Sequence, residues 1–169
     1  MEITTATIKE LREATGAGVM DAKRALEEAQ GDMKRAREIL REKGVAAAAK
    51  RADRETLNGV VDSYIHAGGR IGVLVELNCE TDFVANTADF RTLARNVSLQ
   101  VAAMNPAFIS AEERAGNPVV EGSDDEVCLL SQPFIRDPKL TINDLVKETV
   151  AKTGENVKIR RFVRFELGR

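Results

Sequence analysis

The sequence contains no tryptophan, one tyrosine and one histidine among its 169 residues. With so few aromatic faces, platforms for stacking nucleic-acid bases are not expected. The lone His66 is the one candidate base for a Ser/His/Asp or Cys/His catalytic set, and its setting beside Ala67-Gly68-Gly69 reads as a surface turn. Two cysteines, Cys79 and Cys128, lie far apart with no CxxC and no neighbouring histidine, so neither a metal site nor a disulfide framework is expected. Charge of one sign is also missing. With 25 basic and 27 acidic residues the net charge is -2, which argues against a dedicated nucleic-acid binder. No apolar run approaches the ~20 residues of a membrane span, and the polar start Met1-Glu2-Ile3-Thr4-Thr5 lacks the layout of a signal peptide. The expectation is a soluble, cytoplasmic protein without membrane contact. No G-x-x-x-x-G-K-[ST] pattern occurs, and Gly16-Ala17-Gly18 and Gly68-Gly69 are too short to cradle phosphate. The reading is of a protein that is not an enzyme and needs no metal or cofactor.

Hydrophobic residues make up 43% of the chain, enough for a real core. Residues 1–45 read as a module of three short helices. Thr4 or Thr5 can cap the first, and Ile8, Leu11 and Ala14 fall on one face. The second, from Val19 to Ala29, carries Ala22, Leu26 and Ala29 inward. Asp32 suits the N-cap of the third, whose inner stripe is Met33, Ala36, Ile39 and Leu40, with Gly44 at the C′ position. Residues 46–58, Ala-rich and then densely charged, read as a linker with helical propensity.

From residue 59 to 169 an α+β core is expected. The hydrophobic period changes to 2, predicting a hairpin of strands 59–66 and 70–80, with Ile71, Val73, Val75, Leu77 and Cys79 on one face. A helix from about Thr87 to Met104 follows. Residues 110–126, with Gly116-Asn117-Pro118 and Gly122-Ser123-Asp124, read as a mobile loop, and Gln132-Pro133-Phe134 and Asp137-Pro138 as turns. A helix from Ile142 to Thr153 stops at Gly154. The last strand, 156–167, alternates with Val157, Ile159, Val163, Phe165 and Leu167 on one face. The outcome is a three-stranded antiparallel sheet with helices packed on one face. Val60, Tyr64, Leu74 and Phe162 are expected on the other, a hint of a covering partner sheet.

Thr81-Asp82-Phe83-Val84-Ala85-Asn86 joins a buried strand to a long helix. Residue chemistry leaves two arrangements open. Thr81 can cap a helical turn while Asp82 complements its dipole and Phe83 tucks into the core, the physical default. Alternatively, Asp82 and Phe83 project outward as a carboxylate and an apolar wedge.

At this segment the chain resembles bacterial elongation factor Ts. The matching stretches include Ile8 to Gly18 with Met20-Asp21 and Lys23 to Leu26, then Arg70 to Asn86, Gln132-Pro133-Phe134, Gly154-Glu155-Asn156 and Arg160 to Gly168. The resemblance implies a guanine-nucleotide exchange factor of translation elongation. Its partner would be elongation factor Tu, GDP-bound and nucleotide-free. Thr81, Asp82, Phe83 and Val84 would insert near the magnesium and phosphate site of that GTPase. It also implies an N-terminal module similar to ubiquitin-associated domains, docking through Arg12, Val19 and Met20, with His66 a further candidate contact. Longer relatives carry two core units and a coiled-coil insertion. This chain has one unit, which implies a homodimer formed through the core sheet. A non-exchanging interaction module on the same frame is the alternative.

Overall fold

A computed structural model describes residues 3–117 and 120–168. Helices α1 (Thr5–Thr15), α2 (Val19–Glu28) and α3 (Met33–Ala49) come first. Thr4 caps α1 with a reciprocal Thr4–Thr7 pair. The Asp32 carboxylate accepts the backbone N–H groups of Lys34 and Arg35 at the start of α3, at 2.8 and 3.0 Å. Those two bonds hold the Asp32 carboxyl below its ordinary range. Leu11, Ala22, Ala25, Leu26, Ala36 and Ile39 form the module's own small core.

Helix α3 does not stop at Gly44. The run Ala46–Ala49 continues it, as alanine propensity favours. Gly44 instead spaces two helices: a Cβ there would lie 2.9 Å from Cβ of Ala151, on α8 (Ile142–Thr153). The residue expected to end α3 is the one that lets it pack closely on the core.

The core begins with hairpin β1 (Asn58–Ile65) and β2 (Ile71–Cys79). A one-turn helix α4 (Asp82–Ala85) and the long α5 (Ala88–Met104) follow. Short helices α6 (Ala111–Ala115) and α7 (Asp124–Val127) occupy much of the stretch expected to be a loop. They form because Ser110 and Ser123 act as N-caps with acidic first turns behind them, and Arg114 ties them together through Asp124 at 2.7 Å and the Gly122 carbonyl. Pro118 of that loop lies outside the described residues. Strands β3 (Pro133–Phe134) and β4 (Asp137–Thr141) pair as a small hairpin where turns were expected. The chain ends in α8 and β5 (Val157–Glu166).

The main sheet is antiparallel in the order β1-β2-β5. Its inner face meets α5 through Phe90, Leu93, Val97 and Val101, and α8 through Ile142, Val146 and Val150. Gln132 belongs to this interior. Its amide donates to the Glu126 carbonyl at 2.8 Å and its side-chain oxygen accepts from the buried Gln100 at 3.1 Å. The Gln-Pro-Phe stretch therefore anchors the β3–β4 hairpin to α5.

Two expected faces are corrected. Glu76 pairs with Arg161 but Leu77 pairs with Ile159, so Arg160 is an extra residue, a β-bulge. The bulge reverses the side-chain parity of β5. Val157 and Ile159 are buried, but beyond it Phe162 turns inward and Val163 and Phe165 turn outward. In β1 the inward residues are Val60, Asp62 and Tyr64, which pair with Leu77, Val75 and Val73. The Asp62 carboxylate is satisfied there by the buried Ser98 hydroxyl of α5 at 2.9 Å. Of the four residues expected on the outer face, only Leu74 lies there. Its apolar companions are Val61, Ile65, Val163 and Phe165, the last 67% exposed.

Gly44→Val should overpack the α3–α8 contact and cost about 1–3 kcal/mol. Urea unfolding would show this as a lower midpoint than the parent protein; an unchanged midpoint would mean the two helices part without cost.

Candidate functional site

Strand β2 buries Val73, Val75, Leu77 and Cys79, so its end at Cys79 is fixed in the core. Burial, and secondarily the Glu155 charge, pushes the Cys79 thiol up to about 11. Burial raises that of Cys128 as well. Both thiols are neutral near pH 7, and neither offers a thiolate. Among the described residues no group of three or more His, Cys, Asp or Glu side chains is placed to hold a metal ion.

The chain then turns sharply. Thr81 is extended (φ -127°, ψ 157°) and its hydroxyl accepts the Val84 N–H, starting α4. Asp82 stands in the first turn, on the positive end of that helical turn. Thr87 repeats the device for α5, its hydroxyl accepting from Phe90 N–H. Two capped turns in succession fix the direction in which residues 82 and 83 leave the body.

Neighbouring side chains here have opposite fates. Val84 and Ala85 are 4% exposed and join the main core. Phe83 is 79% exposed. Asp82 and Thr81 are exposed too. The outward arrangement is thus the one adopted, while Thr81 still serves as the cap. Val84 is the buried anchor of the segment. Leu57, 83% exposed, was not singled out from the sequence. It precedes Asn58, whose side-chain amide donates to the Glu80 carbonyl at 2.8 Å, so it stands at the same end of the sheet as Phe83. An isolated apolar residue in a charged linker was the signal available.

The remaining candidates lie elsewhere. Arg12, on α1, is exposed, and Val19 and Met20, at the start of α2, are 54% and 58% exposed. His66 follows β1 at the hairpin tip, its ring Nδ1 3.0 Å from the Tyr64 hydroxyl. Asn58 pairs with Cys79 at the opposite end of that hairpin, so the eight residues from Asn58 put His66 about 27 Å from that end at ~3.4 Å per residue. The structure does not bring His66 to the corner. A cleft of about 610 Å³ lies between the module and α8, bordered by Arg24, Arg37, Arg41 and Lys147. None of residues 81–84 borders it.

The elongation factor TS family model matches residues 2–117 and 118–169. The chain belongs to that family. It is 53% identical to an elongation factor Ts of Carboxydothermus hydrogenoformans over 194 aligned positions, covering 98% of this chain and 89% of the relative. It is 52% identical to that of Thermoanaerobacter sp. strain X514, covering 98% and 95%, and 51% identical to that of Desulforamulus reducens, covering 99% and 90%. The 194-position alignment exceeds the 169 residues of the chain, so the relative holds residues with no counterpart here. The two matched segments meet between Asn117 and Pro118. This family membership makes the chain a translation elongation factor of the α+β class.

Phe83→Ala should leave the unfolding midpoint nearly unchanged, whereas Phe90→Ala, at 0% exposure, should cost about 3–5 kcal/mol. Parallel denaturation curves of the two variants would check the contrast. Equal losses would mean that Phe83 is packed in solution.

Proposed function

We propose that this chain binds elongation factor Tu in the cytoplasm and promotes release of its GDP during translation elongation. The wedge is Asp82 and Phe83. The observation that carries the reading is an aromatic side chain 79% exposed on a short helix anchored from both sides. A soluble protein gains nothing in stability from such a residue, and exposed aromatics at rigid positions are what binding hot spots use.

GDP is held on a GTPase largely by phosphate contacts and Mg²⁺. An exchange factor needs no bond chemistry. It needs higher affinity for the nucleotide-free state than for the GDP-bound state. Phe83, driven between packed elements near the metal, would displace metal ligands, and the Asp82 carboxylate beside it would disfavour phosphate. Linkage then requires that GDP and the factor weaken each other's affinity by the same ratio. Thr81 and Val84 hold the wedge: one caps the turn, the other is sunk in the core.

In this reading the chain divides into the module 1–45, the connecting residues 46–58 and the core 59–169. The module contributes a second contact through Arg12, Val19 and Met20. His66, remote from the wedge, would touch the GTPase only where the partner also reaches the hairpin tip. The outer sheet face suggests a homodimer. Cross-strand pairing sets Ser63, Leu74 and Val163 in one row, and Ile65, Gly72 and Phe165 in the next. An apolar patch of that kind on one sheet face suits a second copy of itself about a twofold axis.

With elongation factor Tu carrying fluorescent GDP, the intact protein should accelerate nucleotide release. Asp82→Ala with Phe83→Ala should lower that acceleration by about tenfold or more, the loss typical of a hot-spot aromatic. No acceleration by the intact protein would sink the exchange reading; full acceleration by the double variant would sink the wedge. Separately, sedimentation should give a dimer at micromolar concentration, and Val163→Glu with Phe165→Glu should give a monomer with unchanged far-ultraviolet circular dichroism.

A further inference from the structure

The Thr81 corner is held by a residue 74 positions away. Oε2 of Glu155 accepts two consecutive backbone N–H groups, from Glu80 at 3.1 Å and Thr81 at 3.0 Å. Its Oε1 accepts the Thr81 hydroxyl at 2.6 Å. The β2 ladder ends at Cys79, so these two N–H groups lie beyond the last strand pair. The same Thr81 hydroxyl accepts from Val84 N–H at 3.4 Å. By accepting the hydrogen bond of that hydroxyl, Glu155 turns the oxygen lone pairs toward α4. One carboxylate therefore sets both the backbone before the turn and the cap of the turn.

Glu155 is itself fixed. It is the second residue after α8, which is capped at Thr141 and buried through Ile142 and Val150. Gly154 closes α8 in the left-handed region, φ 74°, and reverses the chain toward β2. On the other side the buried Asn156 donates its N–H to Glu80 Oε1 at 2.7 Å. Its side-chain amide donates to the carbonyls of Ala52 and Arg54 at 3.2 and 2.8 Å. Charge-assisted bonds of this kind are short and directional, and three on one carboxylate restrict a corner more than a cap alone.

We propose that Glu155 is a positioning residue for the exchange wedge. It aims Asp82 and Phe83 from α8 without touching the GTPase, and it rests on the wedge reading above. A merely structural residue would change how much folded protein is present. A positioning residue changes how fast GDP leaves once the complex has formed.

The test is a double-variant cycle on the full chain with elongation factor Tu and fluorescent GDP, reading maximal release rate and half-saturating concentration apart. Glu155→Ala should lower the maximal rate by about tenfold, with a much smaller change in half-saturating concentration, because the module contact persists. In the Phe83→Ala background the same change should cost less than about twofold further, since both act through one wedge. A wild-type maximal rate for Glu155→Ala, or a full tenfold loss on top of Phe83→Ala, overturns the proposal. If Phe83→Ala alone releases GDP at the wild-type rate, the wedge reading fails first. If Glu155→Ala does not fold, Glu155→Gln decides. Its oxygen can keep the two N–H groups, but its NH2 then faces the Thr81 hydroxyl, which must accept there and re-aim its lone pairs, and this should lower the maximal rate by roughly threefold. A rate equal to wild type in that variant overturns the proposal too.

Discussion

A sheet with one layer of helices can bury only one of its faces, and nearly everything in this core follows from that. Every second residue of β2 is committed to α5 and α8, leaving Leu74 outside while Val73 and Val75 disappear. The central strand then dictates what its neighbours show, because directly paired residues point the same way. Val60 and Tyr64 are inside because they face Leu77 and Val73, and Phe162 is inside because it faces Val75. The bulge at Arg160 is the adjustment that lets β5 keep Ile159 and Phe162 both against the core. It also assembles the outer apolar patch, by sending Val163 and Phe165 to the side of Leu74 and Ile65.

The same burial makes the corner rigid. Cys79 and Val84, five residues apart, are both sunk in the core, and the segment between them has little freedom left. Its polar groups are spoken for as well. The Cys79 thiol donates to the Thr81 carbonyl at 3.0 Å, and Glu155 takes the N–H groups of Glu80 and Thr81. What remains without a place inside is Asp82 and Phe83. Binding by a side chain already held in its working direction avoids the ordering cost that a flexible loop would incur. A wedge of the kind proposed would gain from a strand-to-helix corner for that reason.

The module is joined to this body through packing more than through a free tether. α3 runs on past Gly44, lies against α8, and hands its trailing residues to Asn156. α8 thus serves the module on one side and the Thr81 corner on the other.

Much of this was legible in the chain of residues. Local capping chemistry placed Thr4, Asp32 and Gly154, and the period of hydrophobic residues placed α1, α2, α5, α8 and the β1–β2 hairpin, because those signals act within a turn or a strand. The matching Thr-Asp-Phe-Val segment located the candidate site. What the residues left open was direction. Whether Phe83 pointed in or out, which residues of β1 faced the helices, and whether Gly44 ended or spaced a helix all depend on partners distant in sequence. A bulge adds one residue and reverses a face without altering composition, and a carboxylate at 155 reaches the backbone at 80 and 81 only once α8 has folded beside β2. Residue patterns were enough for the long helices, the main strands and the family resemblance, because those signals are local; the short α6, α7 and β3–β4, and the buried side of every element, depend on what packs opposite once the chain has folded.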